Sequence, residues 1–155
     1  FVTPVQGTAN PTGYLGFGSS VNGGAYSDNQ LVLTTAGNVG IGTTGPTGKL
    51  QVEGRITSTM TSVTAAAAAT TFAVASNTVK VTGDAGGNTI ATITGGVSGM
   101  QLVLIFVDAL VTITDTSATT ADTVNLSAAF TSAANTTLTL IHDGNKWFET
   151  SRSVN

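Results

Sequence analysis

Hydrophobic and polar positions alternate with a period of two along much of this chain, in short runs broken by glycine and polar turns. Alternation of this kind sends every second side chain to one face of a strand, and it predicts an all-β fold. Early in the chain, Leu31 and Leu33 alternate with smaller or polar neighbours. Val39 and Ile41 alternate with Gly40 and Gly42, and Leu50 and Val52 alternate with Gln51 and Glu53 before Ile56. Gly37-Asn38 and Gly45-Pro46 punctuate these runs as turns. Each strand offers two or three modest apolar groups. At about 25 cal/mol per Å² their burial does not offset about 1–2 kcal/mol of backbone ordering per residue. This region is therefore expected to need partners, with several copies sharing one thin core. Glycine inside a strand suits that arrangement, because it admits close approach of another backbone.

Later in the chain the runs lengthen. Strands are predicted over Thr78–Thr82, Thr89–Thr94, Met100–Val107, Leu110–Thr114, Thr123–Leu126, Thr136–His142 and Lys146–Ser151. Asp143-Gly144, between an apolar run and Trp147-Phe148, is a strong hairpin signal. Strands of this length and spacing predict a β-sandwich or barrel-like domain. The run from Met100 to Val107 is apolar on both faces, so it belongs at the centre of a sheet or at a subunit interface. Between the two zones, Ser58 to Ala75 is of low complexity. Its Ala65 to Ala69 has helix propensity, but the flanking Val63, Thr64, Thr70 and Thr71 favour strand. The expected division is a Gly/Thr-rich fibre-shaft or strand-exchange region over 1–56, a linker over 57–77 and a sandwich-like domain over 78–155.

Composition sharpens this picture. Only 8% of the 155 residues are charged, against about 25% in ordinary globular proteins. Polarity comes from Thr, Ser, Asn and Gly, which can be packed against another chain without desolvating charge. The net charge of -3 and the absence of a basic run leave nucleic-acid binding without an electrostatic footprint. The sequence has no cysteine, which excludes disulfides, zinc ribbons and thiol catalysis within it. No apolar run approaches the roughly 20 residues of a membrane-spanning helix, so no membrane insertion is expected. A start at Phe1 instead of Met reads as a processed product or a piece of a longer polypeptide.

From Gly37 the chain reads GNVGIGTT, then Pro46, then KLQVEG from Lys49 to Gly54. This string resembles a motif recurrent in bacteriophage tail fibres and related surface fibre proteins. The preceding Tyr14 to Phe17 and Leu31 to Leu33 stretches, and the ending from Leu138 to Arg152, are similar to segments seen in such proteins. The resemblance implies a homotrimeric β-rich fibre segment on a virion or cell surface, with a surface receptor or glycan as a further partner. Fibres of this kind often end in a self-cleaving chaperone domain, and nothing in this sequence matches one.

Candidate chemistry is sparse, and the chain is expected not to be an enzyme. His142 is the one histidine, with Asp143 beside it and Ser151 nearby, but neighbours in a hairpin point to opposite faces. Asp108, Asp115 and Asp122 recur every seven residues. Such carboxylates can hold calcium, yet the odd spacing switches face and Asp is a common turn residue. Glu149 with Asp143 would be a glycosidase pair, for which the chain looks too short. Gly83 to Gly87 lacks the Lys and Ser/Thr of a phosphate loop, and reads as a turn. Asn125 and Asn135 open glycosylation-like triplets of the kind that arise by chance in a Thr-rich chain. Trp147 is a core or interface anchor in preference to a sugar platform. No cofactor or metal is expected.

The expected function is therefore assembly with identical chains, as a homotrimer or a homopolymer. The expected interface residues are Val39, Ile41, Leu50, Val52, Leu104, Phe106 and Trp147. Two alternatives remain open at this point. One is a bacterial or archaeal filament subunit that donates Phe1 to Val5 as a strand. The other is a glycan-binding or depolymerising tailspike fragment.

Overall fold

The computed structural model describes residues 14–19 and 27–153. It is all-β, with no helix among the described residues, and it divides into two units after Thr57. Residues 1–13, including the expected donor strand Phe1 to Val5, lie outside the described residues.

The first unit is a four-stranded sheet in chain order. Strands β1 (Tyr14–Ser19), β2 (Ser27–Thr34) and β3 (Val39–Ile41) are antiparallel neighbours, and β4 (Leu50–Val52) runs parallel to β3. The Gly-rich motif explains how so short a connection joins two parallel strands. A Cβ at Gly40 would collide with the Thr43 carbonyl and press on Pro46, so glycine lets the 42–49 segment fold tightly over the sheet. Asn38 Nδ2 donates to the Pro46 carbonyl at 3.2 Å, and Lys49 Nζ donates to the Ala36 carbonyl at 2.9 Å, which pins this crossover.

The second unit is solenoid-like. Its elements are β5 (Met60–Thr64), β6 (Thr71–Ala73), β7 (Thr78–Thr82), β8 (Asn88–Ile90), β9 (Thr92–Thr94), β10 (Gln101–Phe106), β11 (Val111–Ile113), β12 (Val124–Asn125), β13 (Phe130–Thr131), β14 (Thr137–His142) and β15 (Trp147–Ser153). Successive turns of chain stack in parallel: β5 on β7 on β10, β6 on β9, and β8 on β11. The hairpin β14–β15 then adds antiparallel to β10, giving a sheet in the order β12-β15-β14-β10-β7-β5. The sheets surround one core, to which β10 contributes Leu102, Leu104 and Phe106 and β14 contributes Leu138 and Leu140.

The segment expected as a linker instead supplies β5 and β6, so the second unit begins at Ser58. Ala65 to Ala69 forms neither a helix nor an extended linker. Ala65 N–H bonds the Thr82 carbonyl, Ala68 takes a positive φ of 57°, and buried Asn88 donates its amide to the Ala66 and Ala69 carbonyls. The expected Thr89–Thr94 strand breaks at Ala91 into β8 and β9. That corner lets Ile90 and Ile93, three residues apart, both bury completely, which a single strand of period two does not allow.

Candidate assembly surface

The register of the first unit aligns its apolar residues in two rows. Leu15, Leu33, Val39 and Leu50 pair successively across the four strands, as do Phe17, Leu31, Ile41 and Val52. Paired residues share a face, and so do residues two apart on a strand, so both rows lie on the same face of the sheet. Phe17 is 56% exposed and Leu50 is 62% exposed, with Leu31, Leu33 and Ile41 also exposed. Their open area is on the order of a few hundred Å², the scale at which a contiguous apolar patch marks an interaction surface.

Little apolar material is buried elsewhere in this unit. Among its described residues only Val32, Gly40 and Pro46 are buried. Val32 pairs with Gly16 on one side and Gly40 on the other, so its own face of the sheet carries almost no hydrophobic surface. The unit thus shows its apolar face outward and hides very little.

Four of the expected interface residues, Val39, Ile41, Leu50 and Val52, lie together on this face. The other three require correction as interface residues. Leu104, Phe106 and Trp147 are all 0% exposed. Alternation turns them into the core of the second unit, where no other chain can reach them. Phe106 packs on Phe130 with ring centroids 5.0 Å apart, and Trp147 Nε1 donates to the Ile93 carbonyl at 2.7 Å. Sequence reasoning missed Leu15 and Phe17 as face residues. Their alternation with Gly16 and Gly18 was the available signal.

The titratable candidates do not converge. His142 is buried, accepts at Nδ1 from the Gly144 N–H, and sits edge-on to Trp147 at 4.7 Å. Its Nε2 lies 3.5 Å from Asp122 Oδ1 and makes no hydrogen bond. Gly96 is required here, because a Cβ would meet His142 and come within 2.7 Å of Trp147 Cζ2. Ser151 pairs with Thr139, well along the hairpin from the His142–Trp147 pair, so no triad forms. Asp143 accepts from the N–H groups of Asn145 and Lys146, both at 2.8 Å, and those bonds hold its carboxyl below the usual carboxylate range.

Asp108, Asp115 and Asp122 have separate partners, Asp122 being the carboxylate beside His142. Asp108 accepts from the Gly83 and Leu110 N–H groups, and Asp115 accepts from the Leu126 N–H. No acidic or histidine cluster able to hold a metal occurs among the described residues. A shallow groove of about 400 Å³ is lined by Asn125, Leu126, Ser127, Phe148, Glu149 and Thr150. Phe148, next to inward Trp147, is the outward aromatic.

Glu149 is committed to structure. It pairs with the Arg152 guanidinium and accepts from Ser127 N–H and Oγ at 2.8 and 3.0 Å. The Arg152 bond, helped by Ser127 and opposed by burial, draws the Glu149 pKa from 4.5 down to about 2. A depressed carboxylate contributes stability that is present above about pH 4.5 and lost as pH falls through about 2. Screened by nearby solvent, the contribution is about 1–2 kcal/mol. Glu149→Gln is therefore expected to flatten the acid limb of the stability profile between about pH 5 and 2, read by denaturant titration at each pH.

Comparison with protein-family models, curated proteins and solved structures finds no match for this chain.

Proposed function

We propose that the chain is a structural, non-catalytic subunit of a β-rich fibre, virion-attached or extracellular, that assembles with identical chains. The exposed apolar face of the first unit carries this reading. Eight side chains drawn from all four strands face outward, while the same unit buries little more than Val32 and Pro46. Packing such faces together gives the first unit the hydrophobic core it lacks as a single copy. An identical chain fits because the face carries no charge, so apposed copies bring no like charges together. The resemblance of Gly37 to Gly54 to tail-fibre sequences supports the same reading and favours a closed trimer. Attachment to a host receptor or surface glycan would then be the work of the exposed loops.

The mass of the full chain in solution tests this. An integral multiple of the chain mass, or a polymer, is expected at micromolar concentration. A folded monomer at all concentrations would sink the proposal.

A further inference from the structure

The strand edges of the two units differ in how they are protected. Unpaired edges invite pairing with other chains, and proteins commonly blunt them by shortness, charge, proline or bulges. Edge β4 has three residues and is flanked by Lys49, Glu53 and Arg55. Edge β1 carries a register irregularity between Phe17 and Ser19. Edges β6, β8, β9, β12 and β13 are two or three residues long.

Edge β5 has none of these defences. It pairs regularly with β7 over all five residues, and it closes one side of the six-stranded sheet. From Ile56 to Val79 the sequence contains no charged residue, no proline and no glycine. The core is also thin there. On β7, Val79 and Val81 are fully buried, whereas their β5 partners Thr61 and Val63 remain half-exposed. Solenoids need their terminal turns capped, and this turn is not capped by any strand among the described residues.

We infer that β5 pairs antiparallel with β5 of a second copy, about a two-fold axis at Ser62. Ala65 N–H bonds the Thr82 carbonyl of the β7 side. By alternation, Thr61 and Val63 also turn their backbone groups toward β7, and Met60, Ser62 and Thr64 turn theirs outward. A two-fold pairing then sets Ser62 against Ser62 and Met60 against Thr64, closing about six ladder hydrogen bonds. On the inner face it sets Val63 against Thr61, which extends the core across the junction. The nearest like charges, the two Lys80 side chains beside Ser62 on β7, stand about 14 Å apart across three strand spacings. That exceeds the screening length at physiological salt. The pairing shares the assembly reading above but uses a different surface.

Ser62→Lys places a charge at the centre of the junction and leaves β5–β7 intact. In the full chain it is expected to lower the particle mass at least twofold and to expose the Ser62-position and Thr64 amides to rapid hydrogen exchange. Ser62→Thr is expected to keep the mass. Ile41→Asp removes the first-unit contact, so it should leave two-chain particles, and Ile41→Asp with Ser62→Lys should leave single chains. An unchanged mass on adding Ser62→Lys to either background overturns the β5 pairing and leaves the first-unit reading intact. Protection of the Thr64 amide in a single chain also overturns it, because the edge would then be covered from within. An Ile41→Asp particle of undiminished mass contradicts the first-unit reading instead.

Discussion

Ile41→Asp is expected to break the first-unit assembly and to leave a particle of two chains at most. Ile41 sits in the middle of its row, between Leu31 and Val52. In an assembled core an aspartate there would be buried without a partner. Stranding a carboxylate in this way costs at least about 3 kcal/mol, roughly a hundredfold in association. The first unit should lose order with it, because Val32, Gly40 and Pro46 are all that it buries alone among the described residues. The second unit should stay folded, since its core includes nothing from the first. Analytical ultracentrifugation reads the mass, and amide exchange shows which unit has opened. Ile41→Val, which keeps the face apolar, should assemble as the unsubstituted chain does.

Trp147→Ala is expected to produce the largest loss of stability in the second unit. Trp147 is fully buried, packs against His142, and anchors β15 beside β12. Truncating a buried aromatic costs about 3–5 kcal/mol. The Ile93 carbonyl also loses its indole donor and becomes a buried acceptor in need of a partner. Against an ordinary domain stability of about 5–15 kcal/mol, the variant should unfold at much lower denaturant and shift its thermal midpoint downward by many degrees. Leu50→Ala, on the exposed face, should leave the second unit's unfolding unchanged. The contrast separates core from assembly surface, a distinction the sequence pattern had blurred.

That blurring has a physical origin. Alternation identifies which residues share a face, but not which face turns inward. Val39, Ile41, Leu50 and Val52 share one face of the first sheet, with Ile41 and Leu50 exposed and Val39 and Val52 half-buried. Leu104 and Phe106 lie in a run apolar on both sides, where periodicity has no contrast to offer. The structure shows Leu102, Leu104 and Phe106 inward and Val103 and Ile105 half-buried on the outer side. The β14–β15 hairpin was legible because Asp143-Gly144 carries a local turn signal. The parallel stacking of β5, β7 and β10 was not, because parallel neighbours are separated by whole turns of chain and leave no short-range mark. Strand β5 itself hid in a Thr/Ser/Ala stretch whose polarity resembles a linker. Its pairing is set by the backbone and by the valines of β7. The missed corner at Ala91 is written only as the three-residue spacing of Ile90 and Ile93.

The acidic residues show the same limit. Asp108 accepts from the Gly83 and Leu110 N–H groups and Asp115 from that of Leu126, while Asp122 faces His142, and their regular spacing marks none of these distant partners. Glu149 and Arg152 were readable as charges but not as a lock. Their partner Ser127 lies far off in sequence and meets them only through the β12–β15 pairing.

If identical chains bury the apolar face of the first unit, a thiol placed on that face is shielded in the native particle. The sequence contains no cysteine, so Leu50→Cys introduces a single thiol at the most exposed large apolar position of that face. Its rate of reaction with a maleimide in the native particle is the measurement. The expected thiol stays protected in the assembled chain and becomes reactive once denaturant or dilution separates the copies. A thiol that reacts in the native particle at the rate of a free cysteine would contradict burial of the face by identical chains.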